Sequence, residues 1–301
     1  MPFIGSGLIT DHFGLGFSNG DLEWHTDADV TGDGDQVARN IIMTKTNPGD
    51  PSFTVLGYGQ RYVATRKITI GTGVTLLGNS GAPGGNFSLG APGTTLGFGG
   101  DGGLGGIGSQ AGAAGTTSGS SRGGSGGSGG TGGAPNIGGS GGLASVSNFK
   151  GMYRNAFLLL NGFAVVNGVV YQLSGGMGGG GGGATASSGG ANGGGGGGII
   201  VLEAPLIEIA GIVDMRGLNG TAGNPDGPVG GGGGGGGGML ICICGKLSIT
   251  GSVLLNGGNG AGAGGGGSAT GGTGGNGGRM WVWTGGPEDF TETVGSAGAN
   301  G

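Results

Sequence analysis

Charge is scarce in this 301-residue chain: 16 acidic and 11 basic residues make up 9% of it, against roughly 25% in ordinary domains. A charge-rich disordered chain is excluded, because 34% of the residues are hydrophobic and disorder of that kind needs the opposite balance. The net charge of −5 and pI of about 4.8 supply no basic patch or stripe, so nucleic acid is not an expected partner. Long apolar runs are missing too. The longest, 199–202 and 239–244, fall far short of the ~20 residues that span a bilayer as a helix, and no membrane insertion is expected. The opening residues, MPFIG, lack a basic region followed by an apolar stretch, so no secretory signal is recognised. Proline is rare, at 10 residues, and no strict glycine triplet runs through the chain, which excludes collagen.

The side chains that carry chemistry are equally few. The two cysteines, Cys242 and Cys244, point to one face of a strand about 7 Å apart, too far for an easy mutual disulfide. A C-x-C pair is half a metal site at best, and the two read as small buried hydrophobes. The two histidines, His12 and His25, lie near Asp11 and Glu23 with no nucleophile signature beside them. A glycosidase would need two carboxylates facing each other across a groove. Glu203, Glu208, Glu288, Asp289 and Glu292 are available, and they read as solvated surface acids. The run DADVTGDGD at 27–35 has the alternating acids and sixth-position glycine of a calcium loop. Its twelfth position is Ala38, where a bidentate glutamate belongs, so it reads as a polar turn. The expectation is a non-enzyme with no catalytic residue, metal or cofactor.

What is abundant is glycine, 95 residues of 301, about a third against a usual ~7%. Each glycine inside a helix costs about 1 kcal/mol relative to alanine, so a helical bundle is not expected. Glycine motifs for nucleotides carry no information at this frequency: G-x-G-x-x-G arises by chance at roughly 3% of positions, about ten times in the chain. G-x-S-x-G at 123–127 has no hydrolase context around it.

Glycine alternates with strand-like units. Residues 199–220, IIVLEAPLIEIAGIVDMRGLNG, align without a gap on 239–260, MLICICGKLSITGSVLLNGGNG, at a shift of 40. Ile207 meets Leu247, Ile209 meets Ile249, Gly211 meets Gly251, Val213 meets Val253 and Asn219 meets Asn259. FLLLNGFAVVNGVVYQLSGG at 157–176 is a looser copy, ITIGTGVTLLGNSG at 68–81 a fainter one, and RMWVWT at 279–284 opens a truncated last unit. Glycine runs adjoin these units at 178–183, 193–198 and 230–238. Repeats of this size predict units that stack, because one unit cannot bury its own apolar face.

A run of nine glycines has no side chain to offset the roughly 1–2 kcal/mol per residue of lost backbone entropy. Either the runs are disordered, or their backbones pack on one another, which only glycine allows. The second alternative predicts the fold class: all-β with polyglycine-II-type helices, in stacked repeats of short β-strand units joined by glycine-rich segments. The expected organisation is an N-terminal attachment region, 1–60, and a glycine-rich repeat body, 61–301, with strand units near 61–78, 156–176, 199–217, 239–257 and 279–284. Such a body would display its loops, since only the packed runs are constrained.

Four aromatics stand out as candidate receptor contacts. Trp281 and Trp283 share one face of a strand, either in a core or subunit seam or as a ligand platform. Phe87 and Phe98 sit amid glycine, where few neighbours could cover them, so they pin loops or meet a partner.

The units YVATRKITIGTGVTLLG at 62–78 and NGFAVVNGVVYQLSGG at 161–176, with the two copies in which glycine runs lead into IIVLEAPLIEIAGIV and MLICICGKLSITGSV, resemble the glycine-rich structural and receptor-binding proteins of bacteriophages. The resemblance covers roughly residues 60–285. It implies a virion protein of a tail fibre, spike tip or particle surface, made in the host cytoplasm without a signal peptide. It further implies attachment to other virion proteins through residues 1–60, loops presented to a host surface glycan or outer-membrane protein, and a homo-oligomer, a trimer for preference, that hides two-sided apolar strands such as 239–244. Two alternatives stay open: a structural component without a receptor, such as a capsid fibre, decoration or tail protein, and a polysaccharide-degrading spike.

Overall fold

Runs of β-branched and aliphatic residues bounded by glycine turns form the strands of this protein. A computed structural model describes residues 20–30, 36–57, 59–78, 111–114, 127–132, 159–160, 163–166, 169–172, 176–184, 188–265, 268–284 and 290–301. The strands are β1 (Leu22–Trp24), β2 (Ala28–Asp29), β3 (Gln36–Met43), β4 (Phe53–Leu56), β5 (Gln60–Ile70), β6 (Val74–Leu77), β7 (Leu159–Leu160), β8 (Phe163–Val166), β9 (Val169–Gln172), β10 (Ile199–Ile209), β11 (Ile212–Asp214), β12 (Met239–Ile249), β13 (Ser252–Leu254), β14 (Arg279–Trp283) and β15 (Phe290–Val294). A seven-stranded sheet runs β1-β3-β5-β10-β12-β14-β15 and a five-stranded sheet β13-β11-β6-β4-β2. A small antiparallel sheet holds β7, β8 and β9. Every pairing in the two larger sheets is parallel except β14 with β15.

This topology corrects the expected fold class, an all-β stack of short repeat units with polyglycine-II-type helices. The described residues contain no helix. Strands reach 11 residues, and each unit shares hydrogen-bond ladders with its neighbours in two continuous sheets. The reason lies in connectivity. Parallel neighbours need a crossover of a dozen or more residues, and a 40-residue unit has room for one. The arrangement is α/β-like in its parallel strands and crossovers, with glycine-rich segments in the helices' place.

Each full unit lays one long strand in the first sheet, turns, and lays a short strand in the second: β5 then β6, β10 then β11, β12 then β13. The turn after β5 uses Gly73 at φ 79°, a left-handed value that suits glycine. Residues matched by the 40-residue shift are lateral neighbours, as in Ile207 beside Leu247 and Ile209 beside Ile249, and Val213 beside Val253. Strand β5 carries one extra residue against both neighbours, between Val63 and Lys67. It bulges there.

One core lies between the two sheets. Ile41, Met43, Ile68, Ile70, Leu202, Ile207 and Ile209 from the first meet Val55, Val74, Leu76, Val213, Met215 and Leu255 on the side of the second. Full burial of an aliphatic side chain contributes about 1.5–3 kcal/mol. Cys242 and Cys244 are free and buried in this core. Burial pushes the Cys244 thiol up to about 11, and burial beside Cys244 also raises that of Cys242.

Beyond the sandwich the glycine segments form a second body. Residues 215–223 lead out of β11, the chain turns at 224–229, and 230–238 lead back into β12. The central run 230–238 bonds in a three-residue period. Gly230, Gly233 and Gly236 donate to the carbonyls of Gly183, Gly180 and Met177. Gly231, Gly234 and Gly237 donate to Thr270, Thr273 and Asn276, while Gly232, Gly235 and Gly238 donate to Thr221, Leu218 and Met215. Its carbonyls accept from three further segments, at Ala191, Gly194 and Gly197, at Gly127 and Gly130, and at Gly258 and Ala261. Six segments thus surround one run. A Cβ on Gly234 would stand 1.9 Å from the Gly258 carbonyl oxygen, which shows why the run tolerates no side chain.

Candidate binding groove

The second sheet and the glycine layer meet along one polar groove. Its lining comes from the end of β6 (Leu77), from β11 and the segment after it (Asp214, Arg216, Asn219), and from β13 and the corresponding segment (Leu254, Asn256, Asn259). The cavity measures about 710 Å³. Leu77 and Leu254 flank Asp214 in register. Segments 215–221, 255–261 and 295–301 run side by side, with Gly217 N–H donating to Asn256 O, Gly220 to Asn259 O, Gly257 to Ser296 O and Gly260 to Ala299 O. The three-residue period of these segments turns Arg216, Asn219, Asn256, Asn259 and Ser296 outward, and all five are exposed.

The polar groups of the groove are held by one another. Arg216 clamps Asp214 in a bidentate pair, Nε to Oδ1 at 2.9 Å and Nη2 to Oδ2 at 2.6 Å. That pairing raises the arginine pKa. Asn219 Oδ1 accepts from the Asn259 N–H at 2.8 Å, and Asn259 Oδ1 accepts from the Ala299 N–H at 2.9 Å. Asn256 Nδ2 donates to Ser296 Oγ at 2.7 Å. The result is an amide ladder that crosses three consecutive units.

The aromatic candidates lie elsewhere. Trp281 and Trp283 are on β14, on the face of the first sheet opposite the shared core. Trp281 is 3% exposed and donates Nε1–H to Glu292 Oε1 at 3.1 Å, where Glu292 also pairs with Arg279. Trp283 is half-buried. Phe87 and Phe98 lie outside the described residues. The same opposite face holds a buried ion pair, Arg61 Nη2 to Glu203 Oε2 at 2.6 Å.

Two further acids are tied to a cation or to backbone. Glu208 meets Lys67 at 2.7 Å, and Asp27 accepts the Thr54 N–H at 2.7 Å. Residues 31–35 of the acidic run, with Glu288 and Asp289, lie outside the described residues. No group of three or more His, Cys, Asp and Glu placed to hold a metal occurs among the described residues. His25 has its Nδ1 2.6 Å from the Thr44 carbonyl and its Nε2 3.0 Å from Glu23 Oε2. The Thr44 carbonyl first and the Glu23 carboxylate second raise its pKa.

Sequence reasoning passed over Arg216 and Asn256 and used Asn219 with Asn259 only as markers of the repeat. The signal was present in that alignment: polar side chains recur three residues apart between glycines, the period that places them on one outer face. No protein-family model matches this chain, and no curated protein or solved structure is significantly similar to it.

Proposed function

We propose that this chain is a virion-associated, non-enzymatic adhesin that presents loops to a host surface, docked to other virion proteins through residues 1–60 and assembled as a homo-oligomer, a trimer for preference. The observation that carries the reading is the return at 224–229. The chain leaves the sandwich along one glycine segment and comes back along the next, so this loop sits at the far end of a backbone-bonded layer. Asn224, Pro225 and Asp226 are exposed there, and Asn224 Oδ1 braces the loop by accepting the Asp226 N–H at 3.1 Å. Val229 and the run that follows are buried. A rigid stalk with a side-chain-bearing tip is what loop display requires. Strand β15 is the outermost described strand of the first sheet, and its edge, where Val294 is 56% exposed, offers a surface on which copies would meet.

The test is competition. Purified protein in excess should block adsorption of the parent particle, and replacement of the exposed residues Asn224, Pro225 and Asp226 by unrelated residues should remove the block without lowering the melting temperature. If excess protein never reduces adsorption, the receptor role is dropped in favour of a structural component of the particle. Release of oligosaccharide from host polysaccharide would instead establish a degrading spike.

A further inference from the structure

We infer that the groove beside the second sheet is a binding site for an uncharged polysaccharide, read by the amide ladder of Asn219, Asn256 and Asn259. The inference deepens the adhesin reading and rests on it, and it places a contact on the flank of the glycine layer in addition to the loop at its end.

Three observations carry the inference. The first is charge. The ionised side chains in the lining, Asp214 and Arg216, neutralise each other in a bidentate pair. A site for an acidic polymer would keep a cation unmatched. A groove rich in amides yet neutral in sum suits hydroxyl groups.

The second is the state of the amides. Asn219 and Asn259 each spend Oδ1 on the backbone of the next segment. That bond fixes the side-chain plane and leaves the two N–H donors of Nδ2 for a ligand. Asn256 uses Nδ2 on Ser296 and leaves its carbonyl oxygen as an acceptor. Donors and an acceptor therefore lie on one held surface, which suits a hydroxyl that both gives and takes a proton.

The third is repetition. Neighbouring segments stand on the order of 5 Å apart, and outward positions along a segment are at most ~10 Å apart. A regular array of amides matches a ligand that is itself a repeating chain. Leu77 and Leu254, both half-buried in the lining, supply an apolar floor for the C–H faces of sugar rings.

The experiment uses the full chain on an array printed with purified bacterial O-antigen and capsular polysaccharides, both uncharged and acidic. The expected result is binding to at least one uncharged polysaccharide. The double variant Asn219→Asp/Asn259→Asp keeps both acceptor oxygens for the backbone but replaces the Nδ2 donors, and should bind at least tenfold more weakly. Should that variant melt early, Asn256→Ala carries the same test, since it loses only the exposed bond to Ser296. Unchanged binding by folded variants would overturn the groove while leaving a glycan adhesin in place. Binding confined to acidic polysaccharides would overturn the ligand class. A chain that binds no polysaccharide yet still blocks particle adsorption would sink the groove alone, and one that does neither would sink the adhesin reading with it.

Discussion

The sandwich and the glycine layer solve the same problem by opposite means. In the sandwich, side chains fill the space between sheets: Ile207, Ile209, Leu202 and Val213 are fully buried. In the layer there are no side chains to bury, and the run 230–238 is buried all the same. Its interior consists of backbone N–H groups and carbonyls satisfied across six neighbours. Apolar burial tolerates a change of shape at a graded cost. A lattice of backbones at contact distance tolerates none, since the obstacle is another main chain. One region is specified by what its residues carry, the other by what they lack.

The sharpest way to break that comparison is Gly234→Ala. The added methyl would meet the Gly258 carbonyl oxygen at 1.9 Å, and neither chain can yield without losing its own bonds. The expected loss is upward of ~5 kcal/mol, read as amide exchange across 230–238 rising to the rate of an unfolded peptide. A variant of normal stability would show the layer to be looser than its contacts.

In the sandwich a large effect should come from Glu203→Gln. It leaves Arg61 buried at 6% exposure without its carboxylate, and removing one partner of a buried pair costs about 3 kcal/mol or more. Chemical denaturation measures it. Replacing both partners by apolar residues should recover most of the loss.

Gly262→Ala sharpens the contrast from the other side. Nothing lies within 4 Å of a Cβ at that exposed glycine, so the change should stay within about 0.5 kcal/mol. A large loss in thermal melting would mean that glycine is needed for reasons other than close approach.

The smallest expected effect is the pH response of His25 at the sandwich edge. Its folded pKa lies above the ordinary 6.5, so its contribution is complete below that value and fades as pH rises through the folded one. An NMR titration should place the midpoint above 6.5 in the native protein, with Glu23→Gln bringing it down. A midpoint at or below the ordinary value would remove the Thr44 and Glu23 contacts from the account.

Much of the lateral order was legible in the residues. The 40-residue shift pairs Ile207 with Leu247 and Val213 with Val253 because those residues lie side by side in parallel ladders. What misled was the inference from repetition to stacked short units. A repeat length says how much chain a unit has, and leaves open whether its strands end with the unit or join continuous sheets. Parallel pairing over 11-residue strands is a choice among whole topologies, made by the shared core between the two sheets. The groove was legible only in part. Asn219 and Asn259 stood out as a matched pair, and Arg216 stands only two residues from the Asp214 it clamps, but nothing local ties Asn256 to Ser296 until the segments are laid side by side.

The residues by themselves determined where strands could form, where no side chain could be tolerated, and how far apart equivalent positions recur, because alternation, glycine content and period are local properties of the chain. Only the tertiary structure decided that the crossovers pack as one backbone-bonded layer, which run is enclosed by six others, and which polar side chains line a common groove. Those outcomes depend on contacts between segments that are distant in sequence, and no short stretch of sequence contains them.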